Sequence, residues 1–335
     1  MKFRATACRL LLAIVCMIGC ARPGATVEQR VSAGTAAARM ISVAPDASLE
    51  ILDWGGSGPP LVFLSGLGNS AHVFDDFAPQ FTDSFHVLGI TRRGFGASTG
   101  VPAAKLDSLA GDLRAVIDSL HLASVVLVGH SIAGEEMTRF AESNPARCAG
   151  LVYLDAAYDR TDPRALNPPS VSGPRVRSSD TRTFASIKAL HVRALGVREP
   201  DSELRATAHF DANDRYHGEV AADSVKARVF AAAQAPHYDR VKCNSLAIYA
   251  MPDSVGDVLP YHAELEASVR PKSDSLLMFV RTLVERSAAD FARFPHHRAI
   301  MIHGNHFIFL ARPAEVASAM RDFLDVSRRR NADRR

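Results

Sequence analysis

Short apolar runs that end at a glycine or a polar residue recur along this chain, with segments of helical spacing between them. The runs are "LVFLSG" (61–66), "FHVLGIT" (85–91), "SVVLVGH" (124–130), "GLVYLDA" (150–156), "SLAIYA" (245–250) and "RAIMIHG" (298–304). Each is short and apolar on both faces, the signature of a strand buried from two sides. Between them, residues 106–120 carry Leu106, Leu109, Leu113, Val116, Ile117 and Leu120 at helical spacing. A helix is likewise expected over 132–143, a longer one over 274–294, and a last one from Pro313, a favoured first-turn residue. Buried strands alternating with amphipathic helices predict an α/β fold: a mostly parallel sheet with helices on both faces. Two half-buried strand candidates, "RMISVAPD" and "SLEILDW", precede it.

The rhythm breaks once. Residues 157–240 begin Pro-, Ser- and Arg-rich, continue with helical patches and scattered histidines, and show no convincing strand. A stretch of that length exceeds a plain loop, so it is read as an inserted helical cap. The core is then 40–156 together with 241–327, followed by a frayed basic tail over 328–335.

The 335 residues are 47% hydrophobic and 22% charged, enough for a sizeable core. A net charge of +3 with no basic stripe interleaved with aromatics excludes a nucleic-acid partner. Lys2, Arg4 and Arg9 precede the apolar stretch Leu10 to Gly19, which is too short to span a bilayer. It fits a secretory signal over residues 1–19. "MIGC", Met17 to Cys20, resembles the lipobox of bacterial lipoproteins, with Met17 where Leu is usual. That resemblance makes Cys20 a lipidation candidate, a possible anchor to the membrane, with 20–39 as a flexible tether. Export to a periplasmic, membrane-anchored or secreted location is expected. Cleavage before Cys20 lowers the net charge from +3 to 0.

"VVLVGHSIAGEE" (125–136) carries the chemistry. Gly-x-Ser-x-Ala is weak by itself, but here it lies where a buried strand turns into a helix. Reactive groups on a parallel sheet belong at the carboxyl ends of its strands. A sharp strand–helix turn strains the nucleophile's backbone and needs small neighbours, here Gly129 and Ala133. Ser131 is the candidate nucleophile, and the N–H of Ile132, at a helix N-terminus, a candidate oxyanion donor. After "LVFLSG" the N–H of Leu67 is a second. A serine requires a base, usually held by an acid. His303 ends the last strand and His306 lies in the loop beyond it, within better reach, so His306 is preferred. For the acid, Asp253 is preferred, with Asp257 and Asp155 as rivals.

Five segments in order, "FLSGLGNSAHVFDDF", "GITRRGFGAS", "VVLVGHSIAGEE", "SLAIYAMPDS" and "HGNHFIFLARPAEV", resemble the α/β-hydrolase superfamily over about residues 42–327. They correspond to its oxyanion loop, Arg-Gly-x-Gly-x-Ser loop, nucleophile elbow, acid loop and histidine loop. Ser65 stands where His is common, which leaves the backbone role intact. A serine nucleophile, where relatives that open epoxides or remove halide use Asp, argues against both of those activities. The resemblance implies acyl-enzyme hydrolysis of a small-molecule substrate, with no metal or organic cofactor. Carboxylic esters of small or medium size are the preferred class. An amidase, a peptidase or a carbon–carbon bond hydrolase shares the triad, and a perhydrolase side activity is compatible. A non-catalytic binding lipoprotein on the same scaffold is a further alternative.

Other features have plainer readings. His130 is expected to pack beneath the elbow, Arg92 and Arg93 to anchor loops through ion pairs, and Glu135 and Glu136 to favour a helix N-terminus. His72 and Phe74 are candidates for lining the acyl pocket. "GFGASTG" misses the dinucleotide spacing. Cys148 and Cys243 each precede a strand, and in this fold those strands are parallel neighbours, so a disulfide between them is expected.

Overall fold

The computed structural model describes residues 36–332. The expected signal segment and the lipidation candidate Cys20 lie outside the described residues. Eight strands form one sheet: β1 (Ala37–Ala44), β2 (Ala47–Gly55), β3 (Pro60–Leu64), β4 (His86–Ile90), β5 (Val125–His130), β6 (Cys148–Leu154), β9 (Ser245–Met251) and β10 (His297–His303). Their order is β1-β2-β4-β3-β5-β6-β9-β10. β1 pairs antiparallel with β2, and β2 with β4; every pairing from β4 onward is parallel. β5 and β9 are buried at every position, as their unbroken apolar runs require.

The helices are α1 (Leu106–Ser119), α2 (Ala133–Ser143), α3 (Phe184–Leu195), α4 (Asp201–Thr207), α5 (Asp223–Ala231), α6 (Val255–Val258), α7 (Arg270–Ala292), α8 (Ile308–Ala311) and α9 (Pro313–Ala332). One face of the sheet packs against Leu113, Val116 and Ile117 of α1, Met137 and Phe140 of α2, and Val284 and Phe291 of α7. The other packs against Val316, Met320 and Phe323 of α9 and against the aromatic group Phe74, Phe77, Phe81 and Phe309. The sheet is thus covered on both faces, as the sequence implies.

Three boundaries differ from the sequence reading. β1 begins at Ala37, inside the segment read as a tether, because residues 37–44 pair along β2. α9 continues to Ala332, past the point where a frayed tail was expected. The 157–240 segment is not wholly helical: β7 (Ala208–Phe210) and β8 (Tyr216–Glu219) form a two-stranded antiparallel sheet of their own. Strands this short carry too little alternation to be legible.

Register positions the site. His130 lies opposite Leu154, Leu154 opposite Ile248, and His303 opposite Met251. Ser131 and Asp155 therefore leave adjacent strands at the same level, at the carboxyl edge.

Candidate active site

Ser131 sits at the turn between β5 and α2 with φ 54°, a left-handed conformation for a residue that carries a Cβ. Small residues make the turn possible. A Cβ on Gly129 would come within 2.5 Å of Met137 Sδ, and one on Gly134 within 2.2 Å of the Ala156 carbonyl oxygen. Gly134 brings the first turn of α2 against the backbone that follows Asp155.

His306 Nε2 is 2.9 Å from Ser131 Oγ, and its Nδ1 is 2.6 Å from Asp155 Oδ2. These contacts set the tautomer: Nδ1–H donates to the carboxylate, and Nε2 accepts from the serine hydroxyl. Asp155, with φ 47°, is buried. Its Oδ1 accepts from the Ala250 N–H at 3.0 Å and the Tyr158 hydroxyl at 2.5 Å. Burial, with the Asp155 charge next, holds the Tyr158 phenol well above its usual range, so it stays a donor.

The acid facing His306 is Asp155, not the preferred Asp253. Asp253 lies two residues beyond Met251, whose register partner is His303, and its carboxylate meets His303 Nδ1 at 2.5 Å in an exposed pair. Asp257 caps its own turn, accepting from the N–H groups of Asp253 and Ser254. Asp155 follows β6, the neighbour of β5, and meets His306 in the loop after β10.

His130 lies under the site. Its Nε2–H donates to the His306 carbonyl at 3.0 Å, and its ring is centred 4.6 Å from the His306 ring. Burial first, then the charge of His306, pushes its pKa well below the ordinary value, so it remains neutral.

The loop after β3 passes beside Ser131: a Cβ on Gly66 would meet His130 Nδ1 at 2.8 Å and Ser131 Cβ at 3.4 Å. Buried Arg92 orients that loop. Its guanidinium pairs with Glu136 at 2.5 Å and donates to the carbonyls of Ser65 at 3.0 Å and Gly66 at 3.3 Å. A planar trans peptide turns its N–H opposite to its carbonyl. Holding the Gly66 carbonyl toward Arg92 therefore turns the Leu67 N–H away from it. Among the described residues, neither the Leu67 nor the Ile132 N–H has an acceptor in the protein. The side chains of both join an apolar cluster with Phe95, Leu109, Val225, Val229 and Phe230, the last three from α5 in the insertion.

His72 and Phe74 do not line this site. His72 pairs with Asp75 at 2.8 Å and Glu50 at 3.6 Å. Burial opposes its charge, but the two carboxylates carry its pKa to about 10. Phe74 is fully buried between Phe63 and Phe309. Arg93 pairs with Asp112 at 2.5 Å. Cys148 and Cys243 place their sulfurs 2.6 Å apart at the amino ends of β6 and β9 as free thiols, not joined in the expected disulfide.

Comparison with known proteins bears on the fold and the family. The chain is 29% identical over 179 residues to the sn-1-specific diacylglycerol lipase ABHD11 of Danio rerio, covering 53% of this chain and 50% of that one. It is 29% identical over 164 residues to a putative carbamate hydrolase, RutD, of Pseudomonas syringae, covering 47% and 63%. The chain thus spans only about half to under two thirds of the length of these relatives. Among solved structures, an E-2-(acetamidomethylene)succinate hydrolase superposes with a TM-score of 0.61 at 17% identity, over 87% of this chain and 99% of that one. A thermophilic esterase from Thermogutta terrifontis gives 0.55 at 18%, over 87% and 99%. At such identities these superpositions speak to the fold. The alpha/beta hydrolase fold family model matches residues 59–254, more than half of the chain and inclusive of Ser131 and Asp155, and the chain belongs to that family.

Proposed function

We propose that the protein is a serine hydrolase working through an acyl-enzyme, with Ser131 as nucleophile, His306 as general base and acid, and Asp155 as the orienting carboxylate. The observation that carries this reading is the continuous line of contacts Ser131 Oγ–His306 Nε2 at 2.9 Å and His306 Nδ1–Asp155 Oδ2 at 2.6 Å. In this scheme His306 takes the Ser131 proton as the oxygen attacks a carbonyl carbon. The N–H groups of Leu67 and Ile132 receive the developing oxyanion. His306 then protonates the leaving group, and water releases the acyl group by the same steps in reverse. Asp155 stabilises the imidazolium without taking its proton.

Esters of small or medium size are the proposed substrates. The apolar cluster around Leu67 and Ile132, closed by α5, supports an uncharged acyl group next to the reacting carbon. We place the activity in an exported protein, on the strength of the sequence's first residues, with attachment through Cys20 as part of that proposal. A binding protein would have no need of an aligned serine, imidazole and carboxylate, which favours the catalytic reading.

Labelling with a fluorophosphonate probe tests it. The expected result is a single adduct on Ser131, abolished in Ser131→Ala and His306→Ala. A folded wild-type protein that takes up no probe, or takes it up elsewhere, overturns the reading. A panel of p-nitrophenyl esters and anilides then tests the preference for esters over amides.

A further inference from the structure

The oxyanion loop is held at two points. Arg92 grips its start at Ser65 and Gly66, from the core. Its far end, Asn69 and Ser70, is gripped from the insertion by two buried glutamates that flank the start of α4. Asn69 Nδ2 donates to Glu199 Oε1 at 3.0 Å and to Glu203 Oε1 at 2.9 Å. The Ser70 N–H donates to Glu203 Oε1 at 3.0 Å, and Ser70 Oγ lies 2.5 Å from Glu203 Oε2. Glu203 is 0% exposed and Glu199 4%. Buried carboxyls are rare unless paired with cations, and here one Asn amide serves two of them.

We propose that Glu203 is a positioning residue for the reaction: by fixing Asn69 and Ser70 from the insertion, it sets where the Leu67 N–H points. This rests on reading Leu67 as an oxyanion donor. It makes the insertion part of the catalytic apparatus as well as a cover.

The protonation of Glu203 decides how much strain the grip carries. A neutral carboxyl keeps all three contacts, with Oε1 accepting from Asn69 and Ser70 and one proton lying between Oε2 and Ser70 Oγ. An ionised one accepts all three bonds as well, which favours it, but it stands beside Glu199 with only an amide between them, and that repulsion strains the grip. Burial first, and the Glu199 charge second, raise the Glu203 pKa from 4.5 to about 8, against the bonds from Ser70 and Asn69, which lower it. His191 Nδ1 meets Glu199 Oε2 at 2.7 Å; burial lowers its pKa, but Glu199 outweighs this and raises it. Glu219, whose charge also reaches His191, pairs with Lys226. Ser202 donates to Asp75, the partner of His72, at 2.6 Å. No cation in this set touches Glu203 itself. The folded protein retains a proton that the unfolded chain sheds near 4.5, so this group's contribution to stability falls as pH rises from 4.5 to about 8 and is level above that.

The test is the pH dependence of fluorophosphonate labelling at Ser131, and of ester hydrolysis, in the full chain, with Glu203→Gln and Glu199→Gln. Wild type should lose about tenfold in rate between about pH 7 and pH 9, a small part of what loss of one oxyanion donor costs. Glu203→Gln, which mimics the neutral acid, should flatten that alkaline limb to under about twofold, a pH response that a merely structural role would not move. Glu199→Gln removes the neighbouring charge, so its limb should shift to lower pH; this decides the matter even if Glu203→Gln does not fold. An alkaline limb absent in wild type, unchanged in Glu203→Gln or unmoved in Glu199→Gln overturns the proposal while the serine-hydrolase reading stands. A folded protein that is not labelled at any pH overturns both.

Discussion

Ser131 and Asp155 both hold left-handed backbone, at φ 54° and 47°, and both lie at the carboxyl edge of the sheet one strand apart. Such conformations cost about 1–3 kcal/mol each and persist only where the surroundings impose them. Two details impose them here: the Ser131 N–H donates to the Leu154 carbonyl at 3.2 Å, and the Asp155 N–H to Ile248 at 2.8 Å. Gly134 completes the fit, since the Ala156 carbonyl occupies the space a side chain would need. Gly134→Ala should therefore destabilise the protein by about 2–3 kcal/mol in urea unfolding, the cost of overpacking against backbone. Its kcat should fall as well, because the displaced backbone carries Asp155. Unchanged stability would mean that α2 has room to shift. Ser131 and His306 were legible because each sits in a motif tied to a strand end. The choice of acid was not: Asp155, Asp253 and Asp257 all follow strands, and only the contact of His306 Nδ1 with Asp155 Oδ2 shows which one the loop after β10 meets.

At the scale of elements, β6 and β9 are parallel neighbours whose amino ends carry Cys148 and Cys243. With the sulfurs 2.6 Å apart, the pair is placed for a disulfide that would close the chain around the whole insertion. We propose that it forms in an oxidising compartment, the two thiols giving up two protons and two electrons to a disulfide donor. Purified protein treated with oxidised glutathione should lose two hydrogens by mass, with a peptide linking both cysteines, and gain about 2–4 kcal/mol over the reduced form. Two free thiols after that treatment would contradict it. The helices α1, α7 and α9 were legible from their apolar spacing, because long periodic segments average out local exceptions. β7 and β8 were not, and neither was the start of β1, whose residues are mostly exposed on an edge strand and carry little alternation.

At the scale of the molecule, the sheet, its two helical layers and the insertion converge on one edge. The core supplies the serine, the imidazole and the carboxylate. The insertion supplies the apolar wall of α5 and the glutamates beside α4. The alternation of buried strands and helices was enough to read the layered fold, since burial on both faces leaves an unmistakable composition. The contacts between insertion and core were not readable, because nothing local in "GVREPDSELR" says that its glutamates will meet Asn69 and Ser70. The central claim is that the working carboxylate is Asp155, one strand from the nucleophile. The most direct measurement is kcat/KM on a p-nitrophenyl ester for wild type, Asp155→Asn and Asp253→Asn. Asp155→Asn should lower kcat/KM by about 10³–10⁴, as expected when the imidazole loses the carboxylate that sets its tautomer. Asp253→Asn should stay within about threefold, since it breaks only an exposed pair with His303. A severe loss in Asp253→Asn with a mild one in Asp155→Asn would contradict the account.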